Sequence, residues 1–165
     1  MSIATTLHPP KYANSAAAQS LQPVLANTYG LYLATHNYHW NVEGPHFMAL
    51  HTLFEAQYNE LFLAIDLIAE RIRALGDYAL PFEDGNIFQI SKMTSNALNK
   101  EVAANDRANR MVQNLVDLNE AVIKVCGASK KVAQNVRDDE SEDLMIGRIT
   151  THQKALWMLE SILKI

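Results

Sequence analysis

Within one stretch of the chain, residues 45–75, His51 and Glu55 stand four residues apart, and so do Asp66 and Glu70. On a helix a spacing of four sets two side chains side by side on one face, so each pair forms half of a chelating site. The interval from Glu55 to Asp66 is 11 residues. At about 1.5 Å per residue the two pairs lie roughly 16 Å apart at nearly the same azimuth, because 11 residues complete about three turns. Carboxylate and imidazole ligands must come within about 2.0–2.6 Å of their ion. One copy of the helix therefore cannot close a site from both pairs. Two copies, laid antiparallel about a two-fold axis near residues 59–61, bring Asp66 and Glu70 of one opposite His51 and Glu55 of the other. The spacing predicts an isologous dimer with two equivalent sites.

Plainer explanations exist for each residue. Acidic pairs on helices are commonly solvated surface, and Arg71 and Arg73 offer Asp66 and Glu70 a structural salt bridge. The neighbours Phe62, Leu63, Ile65, Leu67, Ile68 and Ala69 make the helix apolar on most sides, so little of it should face water, and buried carboxylates there need cationic partners. A lone His51 would be a packing histidine, and His39, near the end of the preceding helix, reads first as an aromatic cap or core residue. Two histidines with three carboxylates point to a metal. Oxygen-rich ligands with one or two imidazoles and no thiolate suit iron, manganese or zinc. A centre housed inside one bundle would use Glu-x-x-His motifs on its helices. The one such spacing, Glu43 to His46, contains Gly44 and Pro45 and falls in a turn, so the site is not expected inside the bundle.

The elements that must position these groups are helices. A first helix runs from about residue 15 or 20 to 42, with Pro23 either in its first turn or kinking it. The second starts at Pro45 and ends at Gly76, a residue favoured just past a helix terminus. Its apolar stripe is Phe47, Leu50, Phe54, Tyr58, Leu61, Ile65, Ile68, Ile72 and Leu75, with steps of three and four throughout. A long connection over 77–94 follows and is expected to carry a short helix. A third helix is expected over about 95–136, with a possible break at Gly127, and a fourth over about 141–163 presenting Leu144, Ile149, Leu156, Leu159 and Leu163. The sum is an all-α, ferritin-like four-helix bundle with one long crossover, over residues 15–165, preceded by a flexible tail over 1–14.

Composition agrees. A length of 165 residues supports one domain with a substantial core; 48 % hydrophobic and 19 % charged residues are globular proportions. No apolar run approaches the roughly 18 residues of a membrane span. The first dozen residues lack a basic start followed by an apolar core, so no secretory signal is expected. Cys126 is the single cysteine, which excludes an internal disulfide and fits a reducing cytoplasm. The net charge of −4 argues against generic nucleic-acid binding.

Thr35-His36-Asn37-Tyr38-His39-Trp40-Asn41-Val42-Glu43-Gly44, followed by Phe47, Leu50-His51, Phe54-Glu55, Tyr58, Asp66-Leu67-Ile68-Ala69-Glu70-Arg71 and Leu75-Gly76, resembles the Dps-type miniferritins, small ferritins also called DNA-binding proteins from starved cells. The segment from His152 to Leu159 is similar to that family's last helix. The resemblance implies a hollow homo-dodecamer that stores iron oxide, with ferroxidase centres at the dimer two-folds. It implies His39, His51 and Glu55 as ligands from one subunit, and Asp66 and Glu70 from its mate. Trp40 would sit beside the centre and absorb stray oxidising equivalents. Fe(II) would be the substrate, hydrogen peroxide the preferred oxidant and oxygen the slower one, with zinc or manganese able to substitute for iron. Glu55 departs from the family's commoner Asp.

The acidic run containing Asp138, Asp139 and Asp143 favours a helix N-terminus through the macrodipole; in the resembling family this region lines three-fold pores that admit iron. DNA compaction is the rival function. The first thirty residues hold one basic residue, Lys11, and Lys130–Lys131 is the one adjacent basic pair. Clustered cations carry DNA affinity, so binding is expected to be weak or absent.

Overall fold

The computed structural model describes residues 15–80, 97–98 and 101–164. It contains four long helices, α1 (Ala16–Asn41), α2 (Phe47–Ala74), α3 (Ala104–Val136) and α4 (Asp139–Ile162). Short turns make hairpins of α1 with α2 and of α3 with α4, and α1 also packs on α3. The tail expected over 1–14 and nearly all of the crossover, with its short helix, lie outside the described residues.

Ser15 begins α1: its hydroxyl accepts from the Ala18 amide at 3.1 Å. Pro23 consequently lies inside α1, two turns beyond its start, not in the first turn. Helix α2 opens at Phe47 and not at Pro45, because Gly44 (φ 102°), Pro45 and His46 are used by the turn. Its far end matches expectation. Gly76 has φ 88°, its amide donates to Arg73 O and the Asp77 amide to Ile72 O, so the last carbonyls are satisfied as the left-handed glycine allows.

Two further boundaries differ from the sequence reading. Helix α3 starts at Ala104, about nine residues late, since Ala103 is extended and Arg107 clamps the approach by donating to Val102 O and, at 2.5 Å, to Glu43. It then runs unbroken through Gly127; one interior glycine costs a helix only about 1 kcal/mol. Helix α4 starts at Asp139, earlier than Ser141, because Asp138 is its cap and accepts from the Ser141 amide at 3.1 Å.

Along α2 the expected stripe is buried at Leu50, Phe54, Leu61, Ile68, Ile72 and Leu75. Tyr58 and Ile65 are half-buried, and Phe47 is exposed. From α4, Leu159 is fully buried and Leu144, Ile149, Leu156 and Leu163 pack partly against the core.

Polar residues also enter the interior. Arg148, 6 % exposed, pairs through its guanidinium with Glu60 of α2 and donates to His152 Nε2 at 2.9 Å. A guanidinium only donates, so His152 Nε2 must accept and Nδ1–H then donates to Asn119 Oδ1 at 2.8 Å. Burial, helped by the Arg148 charge, pushes the His152 pKa down to about 3. The unfolded chain binds that proton near pH 6.5, so the folded state loses stability as pH falls from about 6.5 toward 3. Urea unfolding over this range is expected to show that slope, and His152→Gln to flatten it; an unchanged slope would remove His152 as its source.

Candidate metal centre

The turn over 42–46 folds the end of α1 back against the start of α2, and this puts His39 and His51 face to face. Their rings stack at 3.8 Å between centroids with 22° between planes. Each Nδ1 lies against the other residue's backbone carbonyl, His39 Nδ1 to His51 O at 3.0 Å and His51 Nδ1 to His39 O at 2.9 Å. A carbonyl can only accept, so both Nδ1 atoms carry hydrogen and both Nε2 lone pairs are free when the rings are neutral. A backbone carbonyl holding the far nitrogen of an imidazole is how metal-binding histidines are oriented. His39 is buried, and Glu55 stands exposed one turn beyond His51.

Asp66 and Glu70 lie further along the same uninterrupted helix, both exposed. The salt bridge offered by Arg71 and Arg73 is not made. Arg71 turns to Asp138 at 2.5 Å and to the Ser141 hydroxyl at 2.9 Å, while Arg73 donates to Asp77 O and lies over the Tyr78 ring. Among the described residues no three of His, Cys, Asp and Glu converge within one chain. The structure brings His39 and His51 together, while Glu55 lies one turn further along α2 and Asp66 and Glu70 lie toward its other end.

Around these residues the exposed face of α2 carries several large apolar side chains. Phe62 is 60 % exposed, Leu63 65 %, Leu67 56 % and Met48 69 %, with Trp40 of α1 at 63 %. The expectation that little of this helix faces water therefore fails for the isolated chain: one side is packed into the bundle and the other is left bare. A bare apolar face of this kind marks an interaction surface.

His36 stacks on Tyr58 at 4.2 Å and meets Trp40 at 4.1 Å. Its pKa is lowered, first by burial and then by His39. Of the acidic run, Asp138 is committed to the fold through its cap and Arg71. Burial acts to raise its pKa, but the Ser141 hydrogen bonds and the Arg71 charge outweigh this and hold it below the ordinary carboxylate value. Asp139 and Asp143 are exposed.

Sequence reasoning missed the set made by buried Arg148, His152 and Asn119 with partly exposed Glu60, whose signal was Arg148 and His152 four apart on the inner side of α4. A cavity of about 270 Å³ opens beside it, lined by Gln57, Glu60, His152 and Lys154 among apolar side chains. None of the five candidate ligands lines it.

Known proteins share this sequence pattern and this fold. The family model described as a ferritin-like domain matches residues 18–165. The "DNA protection during starvation protein 2" of Bacillus anthracis is 32 % identical over 91 % of this chain and 98 % of its own length. The Dps structure from Staphylococcus aureus superposes with a TM-score of 0.74 at 30 % identity, covering 93 % of this chain and 99 % of that one. The Dps structure from Vibrio cholerae, described as a member of a broad superfamily of ferritin-like diiron-carboxylate proteins, gives 0.71 at 30 % identity, covering 90 % and 89 %. No helix among the described residues is long and apolar enough to cross a membrane. The chain belongs to the ferritin-like family, and within it to the Dps-type miniferritins.

Proposed function

We propose that this protein is a ferroxidase and iron store. It oxidises Fe(II), with hydrogen peroxide preferred over oxygen, and keeps Fe(III) inside a hollow dodecamer of two-fold dimers in the cytoplasm, protecting the cell from oxidative damage. The carrying observation is the division of the ligands. His39, His51 and Glu55 sit at one end of α2 and Asp66 and Glu70 toward the other, on a face whose exposed apolar side chains invite a second copy. An antiparallel mate about residues 59–61 completes two centres and covers Phe62, Leu63 and Leu67.

In each centre Asp66 and Glu70 supply the negative charge that binds ferrous ion, and the free Nε2 of His39 completes an open ligand sphere. His51 and Glu55 hold a second ferrous ion or a water. Two irons together give peroxide both electrons at once, which avoids releasing hydroxyl radical. Zinc or manganese can occupy the same ligands. Asp139 and Asp143, exposed at the start of α4, are assigned to a three-fold pore that admits iron; Asp138 shares that place while its carboxylate is tied to Arg71. Peroxide-triggered iron oxidation with native mass determination tests the reading: rapid oxidation by a twelve-subunit particle is expected, and a slow monomer would contradict it.

Protection of DNA, which the Bacillus relative's name states for that protein, is assigned here to removal of iron and peroxide rather than to DNA compaction. A chain of net charge −4 without a basic cluster has too few cations to neutralise phosphates. A gel-shift titration at neutral pH and moderate salt is expected to show little retardation; saturating retardation would reverse this assignment.

A further inference from the structure

One side of the bundle is not closed. Helix α1 packs on α2, α3 on α4 and α1 on α3, but α2 and α4 form no comparably close pair among the described residues. The cavity of about 270 Å³ lies between these two helices. Ala56 of α2 and Ala155 of α4 contribute only methyl groups to its lining, where longer side chains would fill it. Leu31, Leu53, Leu61 and Met158 supply apolar walls. Gln57, which also lines it, stands about 140° round α2 from Phe62, so the cavity faces α4 and not the side assigned to a mate.

A plain packing fault is walled by hydrocarbon, or by polar groups that already have partners. Most polar groups here do. The Thr35 and Thr151 hydroxyls donate to Leu31 O and Gly147 O of their own helices. Glu60, His152 and Asn119 are tied into the Arg148 set. Two donors are left. The Gln57 Nε2 amide is buried with no hydrogen-bond partner, and Lys154 makes no hydrogen bond or ion pair among the described residues. A buried donor without an acceptor is unfavourable, so Gln57 calls for a ligand oxygen. Charge points the same way. Arg148 offsets the Glu60 carboxylate, His152 is a neutral ring held by two partners, and the Lys154 ammonium remains uncompensated.

We propose that this cavity binds a free medium-chain carboxylic acid. Its hydrocarbon tail lies among Leu31, Leu53, Leu61 and Met158, and its carboxylate accepts from Gln57 Nε2 on the wall and from the Lys154 ammonium at the rim. An apolar cavity of about 150 Å³ holds benzene, so a space of about 270 Å³ takes roughly ten or eleven heavy atoms. Octanoate is of that size. Bound there, the acid ties α2 to α4 along the open side of the bundle.

Titration calorimetry on the assembled protein, with sodium octanoate as the probe, tests this. One octanoate per subunit is expected, with octylammonium at least about tenfold weaker because its head meets the Lys154 ammonium. Lys154→Met should weaken octanoate several-fold and leave 1-octanol unchanged, since only the carboxylate uses the ammonium. Ala155→Leu and Ala56→Leu fill the space and should each abolish binding; cooperative unfolding and unchanged native mass show that these variants are folded. Octanoate should also raise the unfolding midpoint of the parent, and not those of the two filled variants, because it binds the folded state alone. Equal affinity for octanoate and octylammonium, octanoate binding that survives in both filled variants, or no saturable binding below the micelle-forming concentration would each overturn the site. The outcome is independent of the ferroxidase reading.

Discussion

Replacing Asp66 and Glu70 together by alanine is expected to slow peroxide-driven iron oxidation by more than about 100-fold, since loss of a mere supporting partner of a metal ligand already costs 10–100-fold. The same change should leave the fold nearly untouched. Both carboxylates are exposed and make no ion pair among the described residues, so their removal from the isolated chain should alter unfolding free energy by less than about 0.5 kcal/mol. Stopped-flow absorbance of ferric product and urea unfolding read the two effects separately. An undiminished rate removes these residues from the centre. A large loss of stability returns them to a structural role.

The second large effect concerns stability. Arg148 carries a buried charge whose ion-pair partner is Glu60, and Glu60 is 41 % exposed against 7 % for the arginine side chain. Breaking a fully buried ion pair costs about 3–5 kcal/mol. Water reaches the Glu60 side, so Glu60→Ala is expected to cost less, about 2–3 kcal/mol. Most of that cost is the stranded guanidinium. Adding Arg148→Met to Glu60→Ala should therefore recover a good part of it, because apolar groups of similar volume replace buried ion pairs with little loss. Chemical unfolding of the two single variants and the double variant measures this; a double variant weaker than the sum of the singles would contradict it.

What could be read in advance followed from periodic and local signals. The α2 stripe was legible because its contacts repeat every three or four residues, and Gly76 because a left-handed helix end demands it. Phe47 broke the pattern for a positional reason: it sits in the first turn of α2, where its neighbour is the His51 ring at 5.0 Å and not a facing helix. The starts of α3 and α4 depend on tertiary partners, Glu43 with Arg107 and Arg71 with Asp138, which are more than 60 residues apart in the chain. The Glu60–Arg148–His152–Asn119 set escaped for the same reason, since a polar residue on a helix reads as solvent face until its distant partner is known. At the candidate centre, His51, Glu55, Asp66 and Glu70 announced themselves by spacing. His39 read first as a cap or core residue and was given its place among the ligands by the resemblance, because its tie to His51 is made across a turn by two hydrogen bonds that no periodicity encodes.

Complementation between two inactive variants tests the division of ligands most directly. One variant carries Asp66→Ala with Glu70→Ala; the other carries His39→Ala with His51→Ala. Each alone should be inactive. Unfolded, mixed in equal amounts and reassembled, half of the dimers pair one variant with the other, and each such dimer has one of its two centres intact. The mixture should regain about a quarter of the parent rate. Activity that stays at the level of the separate variants, in particles of unchanged mass, would mean that each centre draws its ligands from one chain.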